Sequence, residues 1–112
     1  MTTITLSQLV APSQLANADA TVYTAPTLTS AKIGRAVFTN TTASAVTITA
    51  GITTGGALGA GATMISARTL APGESYVSPE LAGAVFPAAS VIRAYASAAT
   101  SVTFTASGLL IQ

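Results

Sequence analysis

The sequence predicts an all-β fold, an antiparallel β-sandwich or jelly roll of about seven or eight short strands in a single domain. Three observations lead there. Apolar and polar residues alternate with period 2 over several short runs, as they do in half-buried strands. Turn signals built from Gly, Pro, Asn and Ser separate these runs at spacings of about 8–12 residues. No segment keeps apolar residues at i, i+3, i+4 and i+7, and the density of β-branched Thr and Val disfavours helix.

The elements follow in order. Thr2–Val10 carries Ile4, Leu6, Leu9 and Val10 and reads either as a first strand or as an extended N-terminal arm over residues 1–12, leaving 13–112 as the sandwich. Thr21–Thr24 (TVYT) and Ala31–Thr39 (AKIGRAVFT) are the next strands. Asn40-Thr41-Thr42-Ala43-Ser44 is expected to close a hairpin into Ala45–Ile52 (AVTITAGI), where Val46, Ile48, Ala50 and Ile52 share one face and Thr47 and Thr49 the other. The Gly-rich stretch Gly51–Gly61 is too long for a tight hairpin and is expected to cross between sheets or project as a mobile loop. Met64–Leu70 leads into Ala71-Pro72-Gly73-Glu74, with Pro and Gly where a type II turn wants them. After Ser75–Ser78, the run Ser78-Pro79-Glu80-Leu81 opens like a capped helical turn that Gly83 would stop. Ala98-Ala99-Thr100 is expected to close the last hairpin, between Val91–Ser97 and Ser101–Ala106; in the latter Val102, Phe104 and Ala106 oppose Thr103 and Thr105. No repeat of fixed period and no domain boundary emerges.

Composition removes several function classes. The 112 residues hold no Cys and no His, so a disulfide scaffold, a thiolate zinc site, a Cys nucleophile and imidazole chemistry are absent by residue type. Lys32, Arg35, Arg68 and Arg93 are scattered singly, far from the basic stripe that nucleic acid requires. The longest apolar run, Leu81–Ala89, is too short to span a membrane and carries Pro87. The first twenty residues lack the basic and continuous apolar regions of a signal peptide, so a mature N-terminus is expected.

Apparent chemical motifs fail on their details. The Gly-rich stretch lacks the Gly-Lys-Ser/Thr of a phosphate loop, since Ala62 follows Gly61. The acids are Asp19, Glu74 and Glu80, and the last two stand beside turn residues, where exposure is usual. Neither a paired-carboxylate nor a Ser-His-Asp arrangement is available, so no enzymatic activity and no cofactor is expected. The Thr-x-Thr pairs are irregularly separated and fit the solvent face of ordinary strands better than an ice-matching array. Asn40-Thr41-Thr42 matches a glycosylation acceptor, but a turn favours Asn equally.

The charge content points to assembly. With 6% charged residues, the chain covers its exterior largely with Ala, Thr, Ser and Gly, whereas a free domain usually shows about 25–35% charge on its surface. A neutral surface of this kind costs little to desolvate against a neighbour. Arg35 and Arg93 fall in the middle of predicted strands, either simply facing outward or reaching a carboxylate of an adjacent subunit. The candidate interface set is Ile4, Leu6, Leu9, Val10, Arg35, Arg68, Arg93 and Glu74.

The run Thr21-Val22-Tyr23-Thr24-Ala25-Pro26, the segment from Ile33 to Ile48 with its Asn-Thr end and Val-Thr-Ile strand, Leu70-Ala71-Pro72-Gly73-Glu74 and the segment from Ile92 to Ala99 resemble small β-sandwich virion proteins of tailed bacteriophages. The resemblance covers roughly residues 14–112. It implies a structural component of the particle without catalytic residues: a capsid decoration (cement) protein on the virion surface, made in the host cytoplasm. Its partners would be itself, as a trimer or other homo-oligomer, and the major capsid protein or another virion protein. The alternatives are a neck, tail or fibre component, or a carbohydrate-binding sandwich, for which Tyr23, Tyr76 and Tyr95 are the available tyrosine platforms.

Overall fold

The computed structural model describes residues 3–59 and 61–112; Met1 and Thr2 of the expected first segment and Ala60 of the Gly-rich stretch lie outside them. The strands are β1 (Ile4–Gln14), β2 (Ala20–Thr24), β3 (Ser30–Asn40), β4 (Val46–Thr53), β5 (Thr63–Leu70), β6 (Ser75–Val77), β7 (Val85–Phe86), β8 (Val91–Ala96) and β9 (Val102–Ile111). One sheet has the order β1-β9-β3-β6, with β7 also paired to β3, and the other has the order β2-β8-β4-β5. All pairs are antiparallel. The pairs β1–β9, β2–β8, β3 with β6 and β7, and β4–β5 nest inside one another along the chain, like one long hairpin rolled over into two sheets. This is the jelly-roll arrangement.

Alternation fills the space between the sheets. Ala31, Ile33, Ala36 and Phe38 of β3, Val46, Ile48 and Ala50 of β4, and Val102, Phe104 and Ala106 of β9 all point inward and are buried. Many of these are alanines, so the bulk of the core falls to a few large groups. Phe38 and Phe104, directly opposite in the β3–β9 register, stack with ring centroids 4.4 Å apart, and Phe86 meets Tyr23 edge-on at 6.2 Å. Geometries of this kind add to the burial of apolar area.

Two connections expected as hairpins, Asn40–Ser44 and Ala98–Thr100, instead carry the chain from one sheet to the other, as the Ala71–Glu74 turn also does. The Gly-rich stretch does not cross between sheets but joins neighbouring strands β4 and β5 of one sheet. Period-2 alternation says which side of a strand is buried, and a turn motif says where the chain reverses. Neither specifies whether the next strand pairs alongside or packs across. The local turns nevertheless form as their residues dictate: Glu74 N–H donates to the Ala71 carbonyl at 3.0 Å with Gly73 at φ 74°. Leu81 N–H donates to Ser78 Oγ at 3.1 Å, and Gly83, at φ 83°, ends that single turn.

Strand ends also moved. β1 runs on through Pro12, which an edge strand tolerates, and its register shifts twice against β9. β9 continues to Ile111, past Ala106, where the expected last strand ended. Gly108 is there because of close backbone approach: a Cβ on it would overlap the Lys32 carbonyl oxygen.

Asn40 holds the crossovers together. Its side chain is fully buried, and Nδ2 donates to the carbonyls of Ser44 (2.8 Å), Leu70 (3.2 Å) and Ala71 (3.2 Å). Oδ1 accepts from Thr42 N–H at 3.0 Å and from Thr42 Oγ1 at 2.8 Å. The amide nitrogen that a glycan would need is therefore enclosed in the folded chain.

Candidate functional site

The three acids are engaged within their own chain. Asp19 Oδ1 accepts from Arg93 Nε at 2.8 Å, the one ion pair among the described residues, and Asp19 Oδ2 accepts from Leu58 N–H at 2.8 Å. The hydrogen bond from Arg93, then that from Leu58, holds the Asp19 carboxyl below its usual range, with partial burial opposing them. Arg93 also donates through Nη1 to Thr21 Oγ1 at 2.8 Å, so its fork is taken up by β2 and the segment before it. Glu74 Oε1 accepts from Ala71 N–H at 2.7 Å and fastens its own turn.

Arg68, Tyr76 and Glu80 form a second cluster. In β5, Ala67 adopts φ 47° where the register to β4 shifts, and this bulge sets Arg68 opposite the inward-facing Ile48. From that edge the Arg68 guanidinium lies 3.9 Å from the centroid of the Tyr76 ring in β6, so it bridges the edges of the two sheets. Tyr76 donates to Glu80, which also accepts from Ser78 Oγ at 3.2 Å. The Tyr76 hydrogen bond lowers the Glu80 pKa, while burial and the Glu80 hydrogen bond raise that of the Tyr76 phenol. Arg68 is exposed at that rim, and a charged side chain on an edge strand is one way a sheet avoids pairing with another chain. Among the described residues no group of three or more potential metal-ligating side chains occurs, and no helix is long and apolar enough to cross a membrane.

The apolar candidates of β1 divide. Leu9 and Val10 are 6% and 5% exposed and belong to the core, whereas Ile4 and Leu6 are 63% and 83% exposed. Register places the exposed pair in a larger surface. Leu6 is opposite Leu109, Leu109 opposite Lys32, and Lys32 opposite Val85; in the next row Ile4 is opposite Ile111. The neighbouring residues Ala31 and Ile33 are buried, so these rows face out from the β1-β9-β3 sheet. Arg35, opposite Ser107, lies on the same face and is exposed, as is Val77, opposite Val37.

A shallow groove of about 600 Å³ is cut into this face between residues 6–8 of β1, 107–109 of β9 and Gly34 of β3. Two irregularities make it. Gly34 is the extra residue where the β3–β9 register shifts between Ile33 and Arg35, and the β1–β9 register shifts after Ser7. With no side chain on Gly34 or Gly108, backbone lies between Leu6 and Leu109, and Arg35 follows Gly34 in β3 opposite Ser107.

The opposite outer face has a different character. Thr47 is paired with Thr69, Thr49 with Tyr95, and Arg93 with Thr21. One face is thus apolar with two cations, and the other is dominated by threonine. Exposed apolar patches bordered by polar groups mark surfaces that meet a partner. Sequence reasoning had Ile4, Leu6 and Arg35, but it missed Leu109, Ile111, Val85 and Lys32, which only the strand register brings beside them.

No protein-family model matches the sequence, and no curated protein does. Solved structures with a similar fold include a chain of infectious bursal disease virus Gx strain, with TM-score 0.56 and 16% identity over 99% of this chain and 32% of that one. The VP2 subviral particle of infectious bursal disease virus gives TM-score 0.55 and 18% identity over 98% and 32%, and the virus Gt strain gives 0.52 and 14% over 98% and 32%. These likenesses are of fold, and this chain spans about a third of the length of each.

Proposed function

We propose that this chain is a non-enzymatic structural protein of a bacteriophage particle, a capsid decoration (cement) protein that binds and stabilises the head as a homo-oligomer, with a trimer favoured. The observation that carries the proposal is the two-faced sandwich: an outer face bearing Ile4, Leu6, Val77 and Val85 exposed, on a molecule with only seven charged residues. A surface of that composition is expected to be covered in use, because permanent contacts are richer in apolar area than free surface. Threonine on the other face suits contact with water. The jelly-roll topology, similar to that of the VP2 subviral particle, supports a role in a shell.

The chemistry of the chain also supports a structural role. Asp19 is held by Arg93, Glu74 by its own turn and Glu80 by Tyr76, so no carboxylate is arranged as an acid or base beside a reacting position. The test is co-sedimentation of the protein with intact particles through a density gradient, with its copy number measured. A saturable copy number that matches the repeated subunits of the head would fit decoration of the head, because a symmetric shell repeats the same docking surface. A copy number near six or twelve would move the protein to the neck or tail, and absence from particles would remove the proposal.

A further inference from the structure

We infer that the groove beside Gly34 docks an extended polypeptide segment that carries apolar residues next to a carboxylate, supplied by a different protein. The inference rests on the structural role proposed above only in taking that protein to be part of the particle. Four observations select the occupant. First, the groove is lined by Leu6 and Leu109, which offer apolar contact, with Ser7, Gln8 and Ser107 among them and no charged side chain in its lining. Second, Lys32 and Arg35 stand on the same face, and among the described residues no acidic side chain is in ion-pair contact with either.

Third, the chain has little to offer as its own occupant. Two copies meeting through this face about a two-fold axis would set two identical patches, each carrying Lys32 and Arg35, against one another, since an isologous contact uses the same patch twice. Asp19 and Glu80 are already bonded, and Glu74 holds its turn through Oε1. Fourth, the groove opens onto the row that runs on from Leu6 and Leu109 to Lys32 and Val85 across four strands, roughly 14 Å at about 4.8 Å per strand, the length of four or five extended residues. Two cations are too few for an anionic membrane, where clusters of about four to eight are the usual requirement. Charge complementarity therefore favours an acidic, apolar peptide segment.

The probe is a fluorescent hexapeptide, Ac-Glu-Leu-Asp-Val-Glu-Leu-amide, titrated by anisotropy into the full chain, with purified particles as a second arm. Gly34→Leu is designed to obstruct the groove, and its Cβ meets only ordinary contacts at 3.5 and 3.7 Å. Lys32→Glu with Arg35→Glu reverses the charge. Each change is expected to weaken peptide binding at least tenfold, with unaltered thermal unfolding, and to weaken particle binding in parallel. Peptide affinity within twofold of the parent in both variants would overturn the docking site, even if particles still bind. Failure to bind particles while the peptide binds as expected would overturn the virion role and leave the docking site standing. Concentration-dependent dimers abolished by Gly34→Leu would make a second copy the occupant and overturn the inference. Binding to phosphatidylserine vesicles but not to the peptide would overturn it too.

Discussion

Replacing Asn40 by alanine is expected to cost about 3 kcal/mol of folding stability, although Asn40 touches no surface that the protein presents. Its two amide hydrogens are shared among the carbonyls of Ser44, Leu70 and Ala71, and its carbonyl oxygen accepts two bonds from Thr42. That amounts to three or four effective hydrogen bonds at about 1 kcal/mol net each. Alanine would also leave those enclosed carbonyls short of donors. For a domain whose whole stability is about 5–15 kcal/mol, the loss is a large share. At about 4 °C per kcal/mol for a chain of this size, the Tm is expected to fall by about 12 °C. Urea denaturation at fixed pH measures the free energy and calorimetry the Tm. Asn40→Asp gives a second reading, because its carboxylate would face three carbonyl oxygens and have its pKa raised in the folded state. Such a group destabilises when ionised, so that variant is expected to gain stability relative to the parent as pH falls from about 7 to about 4. A Tm drop under about 3 °C for Asn40→Ala, or no pH effect in Asn40→Asp, would refute the clasp.

Three further outcomes are expected. Gly108→Ala, whose Cβ would overlap the Lys32 carbonyl oxygen, is expected to destabilise by about 2 kcal/mol or more, while Gly34→Ala stays within about 0.5 kcal/mol; urea titration compares them. Phe104→Ala removes one ring of the stacked pair in the core and is expected to cost about 3–5 kcal/mol by the same assay. The Asp19 carboxyl, held below its usual range by Arg93, contributes stability that is present above the ordinary Asp pKa and lost as pH falls through the depressed folded value. Acid titration of Arg93→Met is therefore expected to show a smaller loss of stability below about pH 4 than the parent shows.

The parts of the fold written in local pattern were legible. Val46, Ile48 and Ala50, and again Val102, Phe104 and Ala106, declare their buried faces by alternation, and Pro72-Gly73 and Ser78-Pro79 declare their turns. The path between the sheets was not legible, because the partner of each strand lies far away in sequence: β1 pairs with β9, and β2 with β8. Gly108 hid the second half of β9, since a glycine required by close approach looks the same as one required by a turn. The candidate surface was half visible for the same reason. Leu6 could be seen as an apolar residue on a strand, but its neighbour Leu109 comes from the other end of the chain. Likewise, nothing local distinguishes Arg93, which pairs with Asp19, from Arg35, which stands exposed on the apolar face.

The most direct measurement is a cryo-electron microscopy reconstruction of particles carrying the bound protein, resolved well enough to orient the two sheets. The expected map sets Leu6, Gly34 and Arg35 against the shell, with an acidic segment of the shell protein along the groove and Thr47 and Thr49 turned to solvent. A map with the threonine face against the shell, or a particle surface that never takes up the protein, would contradict it.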